Sequence, residues 1–152
     1  MEIQSILLNA PKVVRKADPR QMPALTLAYL GDTVYDLFVR SRLAFSDLGN
    51  VHTLHTMAAK LVCAKGQATA YYAIKDRLTE EETAAFKRGR NAHSGTVPKH
   101  ADIQEYRVAT GLEALLGHLY CLGQDERIAE LMDWALEATM ETKEQDNGIR
   151  KI

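Results

Sequence analysis

The sequence predicts an all-α protein, and three observations lead to that prediction. Glycine and proline are sparse, with 9 and 4 among 152 residues. Apolar residues recur at helical spacing, whereas strand-like alternation is weak. At 46% hydrophobic, the chain has enough apolar residues for a buried core. Its length fits one domain, so we expect a single domain over residues 1–152, with its core at about 23–141 and a polar tail at 142–152.

The helices can be placed from local signals. The first should begin near Pro23, because proline suits a first turn, and should end before the stretch FSDLGN at 45–50. Helix then resumes over about 52–74, with a bend near 63–66. Thr79 with Glu82 three residues later forms a capping box, which predicts the start of a helix running to Arg90. Two further helices are expected over about 103–122 and 125–140.

Two acids lie in unexpected places within apolar helices. Asp32 is in the stretch LAYLGDTVYD, and Glu113 is the only acid in VATGLEALLGHLY. A helical glycine costs about 1 kcal/mol relative to alanine, which makes sense where another helix approaches closely. If the two helices cross, the carboxylates meet and form a hard-oxygen site suited to Mg²⁺. Alternatively, each acid faces solvent, as lone helical acids usually do. The glycines beside the acids are Gly31, Gly111 and Gly117.

A basic segment, KRGRNAHSGTVPKH at 87–100, contains no acid. Its composition suits contact with a phosphate backbone, although a solvated surface loop is the alternative. Arg107 lies just beyond and would extend the basic surface. Together with a Mg²⁺ site, the segment indicates phosphodiester chemistry. The candidate contact residues are Lys87, Arg88, Arg90, Asn91, His93, Lys99 and Arg107.

Other features narrow the class of protein. Cys63 and Cys121 are expected to be small core residues in a reducing cytoplasm, because two cysteines cannot form a disulfide framework. No apolar run approaches the roughly 20 residues that span a bilayer, and the N-terminus lacks the order of a signal peptide. We therefore expect a cytoplasmic protein without a membrane partner.

Tyr71 and Tyr72 are expected to be packing residues. The net charge of −1 means that any nucleic-acid contact must be local.

The two acidic helices resemble those of a known family. LAYLGDTVYD resembles the signature helix of ribonuclease III catalytic domains, and GLEALLGHLY resembles their second acidic helix. With KRGRNAHSGTVPKHADIQEYRVAT between them, the order of motifs is similar to that of the Mini-III ribonucleases. That branch keeps the catalytic domain and lacks the double-stranded-RNA-binding domain. The resemblance covers about residues 23–134 and implies a ribonuclease III catalytic-domain-like helical bundle.

The resemblance also implies roles for individual residues. Asp32 matches the principal catalytic acid and Glu113 matches the metal-binding glutamate, so both are expected to be catalytic and to hold Mg²⁺. Full-length relatives carry two further acids, at the positions of Ala28 and Thr110. This leaves two protein carboxylates per site and leaves open whether one or two metals act. Asp36 matches no ligand position and is expected to be a supporting or surface acid.

The implied activity is that of a homodimeric, Mg²⁺-dependent endoribonuclease acting on double-stranded RNA. Its family role is maturation of the 23S ribosomal RNA precursor, leaving 5′-phosphate and 3′-hydroxyl ends. Recognition should be mostly of A-form shape, with RNA contact on the 87–100 segment and at Arg107. Whether a ribosomal protein presents the RNA is left open.

The sequence leaves two other functions open. A catalytically silent helical RNA-binding or ribosome-assembly module is favoured by the missing acids at Ala28 and Thr110. An all-α metal phosphohydrolase acting on nucleotides is a weaker alternative, since the His-Asp ligand pairs expected of it are absent. The homodimer is likewise open, because a first helix that is apolar on several faces fits either a subunit interface or the centre of a monomer.

Overall fold

Six α-helices make up nearly all of the described chain. A computed structural model of the protein describes residues 18–47, 49–92 and 102–146, the last six of these by their backbone alone. Within these ranges there are no strands, which confirms the all-α prediction. The helices are α1 (Ala24–Ala44), α2 (Val51–Val62), α3 (Ala64–Ile74), α4 (Glu80–Asn91), α5 (Ile103–Cys121) and α6 (Asp125–Asp146).

The helix ends follow local sequence signals. The Thr79 hydroxyl accepts a hydrogen bond from the Glu82 N–H, and the Glu82 carboxylate accepts one from the Thr79 N–H. The predicted capping box is therefore confirmed. Asn50 caps α2 and Asp102 caps α5, each through a side-chain oxygen that accepts from the first turn. Pro23 precedes the first residue of α1, as predicted.

The bend predicted near residues 63–66 is a complete break at Cys63, whose backbone is extended with ψ of 163°. We predicted that both cysteines lie in the core. Cys121 is buried, but Cys63 is exposed, so that part of the prediction was wrong. The reason is that Cys63 connects two helices instead of lying on the inner face of one. Its thiol donates a hydrogen bond to the Lys60 carbonyl oxygen at 3.3 Å.

The last helix is longer than the sequence suggested. We expected it to end near residue 140, but α6 continues to Asp146. The residues that suggested a polar tail are mostly glutamate, lysine and glutamine, which are good helix formers. No glycine or proline occurs between Gly123 and Gly148. Polarity alone therefore did not mark the end of the helix.

The central element is α5, which packs against α1, α3 and α4 and is buried around most of its circumference. A helix that is apolar on all sides needs such surroundings. Its largest fully buried side chains are Leu112, Leu115, Leu116 and Leu119. Although α5 is strongly apolar, neither it nor any other helix in the described ranges is long and apolar enough to cross a membrane.

Candidate active site

Gly31 and Gly117 allow α1 and α5 to touch backbone to backbone. A methyl group at Gly31 would overlap the carbonyl oxygen of Glu113, and one at Gly117 would overlap that of Leu27. Any side chain at either position would therefore force the helices apart. The third glycine that the sequence singled out, Gly111, makes close contact with α4 instead. The helix crossing predicted from these glycines is present.

Asp32 and Glu113 lie side by side at this crossing. Asp32 is exposed, whereas Glu113 is partly buried. Their carboxyl groups are close enough to share a hydrogen bond. Burial raises the pKa of Glu113, and the neighbouring charge of Asp32 raises it further, to about 8. The fold thus brings together two acids that are far apart in the sequence.

This pair of carboxylates has the chemistry of a divalent-cation site. Two neighbouring carboxylates repel each other when both are charged, and a cation between them removes that repulsion. Oxygen donors of this kind suit Mg²⁺, which usually takes one or two carboxylates and completes its shell with water and phosphate. Within the described ranges, no group of three or more His, Cys, Asp or Glu side chains is placed to hold a metal ion. Two carboxylates are therefore what this part of the chain offers.

Three neighbouring positions do not add ligands to the pair. Ala28 is buried, and the Thr110 hydroxyl donates to the Tyr106 carbonyl oxygen within α5 at 3.0 Å. Asp36, one turn beyond Asp32, accepts a hydrogen bond from Arg40 Nε at 2.9 Å. Asp36 is therefore neutralised by a neighbour on its own helix, which agrees with the supporting or surface role expected for it.

Tyr35 connects α1 to α2 near the helix crossing and was missed by the sequence reasoning. It is fully buried, and its hydroxyl donates to the Leu61 carbonyl oxygen of α2 at 2.7 Å. Burial raises the pKa of Tyr35, with smaller contributions from Cys63 and Glu113. The available signal was its position three residues after Asp32 in an apolar helix, where a tyrosine needs a partner for its hydroxyl.

The raised pKa of Glu113 predicts a pH dependence of stability. In the unfolded chain Glu113 loses its proton near pH 4.5, whereas in the folded protein it keeps the proton until about pH 8. Between these values Glu113 binds its proton more tightly in the folded state, so its contribution to stability is complete below pH 4.5 and is lost as the pH rises through 8. We expect the titration of Glu113 to lower the free energy of unfolding of the metal-free protein by a few kcal/mol over this range, at about 1.4 kcal/mol for each pH unit between the two pKa values, measured by denaturant unfolding at several pH values.

The matched control is Glu113→Gln, which keeps the size of the side chain and removes its titration. This variant should lose less stability than the wild type between pH 5 and pH 8. Mg²⁺ should stabilise the wild type more at pH 8 than at pH 6, because the cation and the proton compete for the carboxylate. If the stability of the two proteins depended on pH in the same way, the raised pKa assigned to Glu113 would be contradicted.

The described part of the basic segment lies at the C-terminal end of α4. Lys87 and Asn91 are exposed, and Arg90 is partly buried, with its Nε donating to Asn91 Oδ1 at 3.2 Å. A methyl group at Gly89 would overlap side-chain and backbone atoms of α5, so this end of α4 lies directly on the helix that carries Glu113. Of the other candidates, Arg107 is exposed on α5, whereas His93 and Lys99 lie outside the described residues.

Arg88 has partners that set it apart from the other basic residues. Its guanidinium donates to the carbonyl oxygen of Met22 at 2.6 Å and to that of Pro19 at 3.4 Å. Both carbonyls belong to the turn that leads into α1. Arg88 therefore ties α4 to the start of the helix that carries Asp32. No sequence signal could have shown this, because the partners are 66 and 69 residues away.

Comparison with known proteins finds a family whose match to this chain includes the candidate site. The ribonuclease III domain family matches residues 25–124 of the chain. The match begins at the second residue of α1 and ends just before α6. It therefore includes the helix crossing, both acids and the basic end of α4.

Individual relatives match over nearly their whole length. Mini-ribonuclease 3 of Enterococcus faecalis is 43% identical over 130 residues, which are 84% of this chain and 98% of that protein. Mini-ribonuclease 3 of Symbiobacterium thermophilum is 44% identical over 124 residues, 82% and 95% of the two chains. A crystal structure of a Fusobacterium nucleatum protein has a TM-score of 0.70 at 32% identity, covering 79% of this chain and 96% of its own. The chain therefore belongs to the ribonuclease III family, among the Mini-ribonuclease 3 proteins, and is an endoribonuclease.

Proposed function

We propose that this endoribonuclease cleaves double-stranded RNA with Mg²⁺ held by Asp32 and Glu113, and that it acts in the cytoplasm on the 23S ribosomal RNA precursor. The observation that carries the proposal is the carboxylate pair at the glycine crossing. Membership of the ribonuclease III family supports RNA as the substrate. It also favours an enzyme over the silent module and over the nucleotide phosphohydrolase.

The two acids have surroundings that suit different tasks. Asp32 is exposed, so it meets the substrate and orients the water that attacks the phosphorus. Glu113 lies deeper and anchors the cation once its proton is lost. Mg²⁺, when bound, supplies positive charge against the negative charge that builds on the phosphate oxygens. Attack opposite the 3′-oxygen breaks the P–O3′ bond and leaves a 5′-phosphate and a 3′-hydroxyl.

A cleavage assay on duplex RNA tests the proposed function. Purified protein should cut the duplex with Mg²⁺, should fail to cut it with EDTA, and should leave 5′-phosphate ends. Duplex RNA that remains intact in Mg²⁺ would overturn the proposal, as would cleavage that EDTA does not affect. A transcript of the ribosomal RNA precursor, with and without ribosomal proteins, tests the natural substrate and the need for presentation.

The proposed RNA surface combines the end of α4 with part of α5. Lys87, Asn91 and Arg107 are exposed, and Arg90 is partly exposed beside them. The sequence adds His93 and Lys99 to this proposal. A-form RNA presents phosphates and 2′-hydroxyls in its shallow minor groove, so cations and amides suit recognition of shape without base readout.

Replacing Lys87 or Arg90 by glutamine should weaken duplex binding and flatten its salt dependence. Each lost phosphate contact should lower the slope of log affinity against log salt by a little under one, about 0.7–0.9. Fluorescence anisotropy over a series of salt concentrations measures this, with Asp32→Asn present in every protein to prevent cleavage. Arg88→Gln is the matched control, because it removes an equal charge whose hydrogen bonds go to backbone carbonyls. Arg88→Gln should lower thermal stability and leave the slope of log affinity against log salt unchanged. A slope lowered as much as by Arg90→Gln would mean that Arg88 also contacts RNA.

The exposed side of α1 supports a homodimer. Leu25, Tyr29 and Leu37 are 38%, 79% and 39% exposed although they are apolar. At 3.6 residues per turn these three project within about a third of the helix circumference, next to Asp32. Exposed apolar side chains that share a helix face with an ion pair, here Asp36 with Arg40, favour an interface with another protein. A second copy seated there would place two acid pairs near one duplex, one for each strand.

Light scattering coupled to gel filtration tests the dimer. The wild type should have twice the mass of one 17.0 kDa chain, and Tyr29→Glu should have the mass of a single chain, because it places a charge in the interface. Tyr72→Glu is the control, since Tyr72 is an exposed aromatic residue on another helix. A wild type with the mass of one chain would contradict the dimer.

A further inference from the structure

A series of three aromatic rings, Phe86, Tyr71 and Tyr72, runs from the core to the surface beside α4. Phe86 is buried, and Tyr71 stacks on it with ring centroids 3.8 Å apart and planes 6° apart. Tyr72 meets Tyr71 edge to face, at 5.5 Å and 61°. A methyl group at Gly111 would meet the Phe86 ring at 2.5 Å, so Phe86 lies directly on α5. The outermost ring is therefore supported, through two others, by the helix that carries Glu113.

Tyr72 exposes 56% of its surface. We expected both tyrosines to be packing residues, and this interpretation holds for Tyr71, which is sandwiched between two rings. It is wrong for Tyr72, whose ring is largely open to solvent. A rigidly supported, exposed aromatic ring loses little conformational entropy on binding, which favours its use as a contact surface.

Cations lie on either side of the aromatic series. The Lys75 ammonium is 5.9 Å from the centre of the Tyr72 ring, and the Arg90 guanidinium is 5.8 Å from that of Phe86. Arg90 already belongs to the proposed RNA surface, so the rings continue that surface onto α3. Asp76 places one negative charge near Tyr71, against the two positive charges of Lys75 and Arg90.

An exposed ring beside a cation suits a nucleotide, because the base stacks on the ring while the cation attracts the phosphate. Bases inside an A-form duplex stack on each other and offer no free face, so aromatic side chains bind unpaired ones. The chemistry of this surface therefore favours a nucleotide outside the helical stem over a base-paired one.

We propose that Tyr72 and Lys75 form a stacking site for an unpaired nucleotide of the RNA substrate, next to the surface that binds the duplex. The proposal rests on the proposed function and refines its substrate class. RNA that carries a bulge or a single-stranded extension beside the duplex should bind more tightly than a blunt duplex of the same length.

Binding to two RNAs tests the stacking site. One is a blunt duplex, and the other is the same duplex with a single-stranded extension containing the fluorescent base 2-aminopurine. In full-length protein with Asp32→Asn, Tyr72→Ala should weaken binding of the extended RNA by about five- to twenty-fold and binding of the blunt duplex by less than about two-fold. Tyr72→Phe keeps the ring and should bind as the wild type does. Binding should quench 2-aminopurine in the wild type and in Tyr72→Phe, but not in Tyr72→Ala.

Thr69→Ala is the matched control, because Thr69 is exposed one turn earlier on α3 and its hydroxyl donates to the Lys65 carbonyl oxygen of the same helix. It should leave the affinity for both RNAs unchanged. Wild-type affinity of Tyr72→Ala for the extended RNA would overturn the inference, as would equal losses on the two RNAs or a loss with Tyr72→Phe as large as with Tyr72→Ala. If the parent protein binds neither RNA, the proposed function itself fails, whereas normal duplex binding without any effect at Tyr72 removes this inference alone.

Discussion

Replacing Asp32 by asparagine, or Glu113 by glutamine, is expected to lower the rate of duplex RNA cleavage by about 1,000-fold or more. Each change removes a carboxylate from the pair and keeps the size of the side chain. Because the described chain offers no group of three candidate ligands, no third acid is placed to replace the one that is lost. Single-turnover cleavage at saturating protein in Mg²⁺ measures the effect on the chemical step without a contribution from product release.

The control for this experiment lies on the same helix. Asp36→Asn also removes a negative charge from α1, but its carboxylate is paired with Arg40, so activity should stay within about three-fold of the wild type. Thermal unfolding separates loss of catalysis from loss of fold, and Glu113→Gln should be at least as stable as the wild type at pH 8 without metal. Cleavage by Asp32→Asn within ten-fold of the wild-type rate would show that the acid pair is not the active site.

Gly31→Ala is expected to destabilise the protein by about 3 kcal/mol, although alanine is the better helix former by about 1 kcal/mol. The added methyl group would overlap the carbonyl oxygen of Glu113, which belongs to the backbone and cannot rotate away. Relief requires α1 and α5 to move apart, and that movement also separates the two carboxylates. Denaturant unfolding measures the stability, and the cleavage assay should show a parallel loss of activity.

Thr33→Ala provides the comparison, because Thr33 is exposed two residues further along α1. That change should alter the free energy of unfolding by less than about 0.5 kcal/mol. Wild-type stability and activity in Gly31→Ala would mean that the helices yield easily, and the close crossing would then not set the geometry of the site.

The parts of the fold and the site that could be predicted are those with a local free-energy cost or a local sequence signal. A glycine inside an apolar helix is unfavourable unless something approaches it closely, so Gly31 and Gly117 indicated a crossing before any partner was known. The capping box of Thr79 and Glu82 is contained within four residues and was predicted for the same reason. The proximity of Asp32 and Glu113 follows from the crossing, whereas their catalytic roles stay predictions until variants are measured.

The parts that were missed depend on distant partners or on the face of a helix. Composition grouped Arg88 with Lys87 and Arg90, and only the fold shows that the carbonyls of the turn before α1 accept its hydrogen bonds. Tyr72 could have been found from sequence, because two polar residues share its face of α3 at helical spacing. These residues are Lys65 and Thr69. The end of α6 was misplaced because polar composition was given more weight than helix propensity.

The contact between Gly31 and the main chain of Glu113 also limits how this enzyme can diversify. The separation of the two helices at the acids is set by a main-chain contact, so repacking of neighbouring side chains cannot bring the helices closer. If the proposed RNA surfaces on α3 and α4 bind the substrate, new preferences can arise by substitution on these outer faces while the helix crossing at the centre stays unchanged.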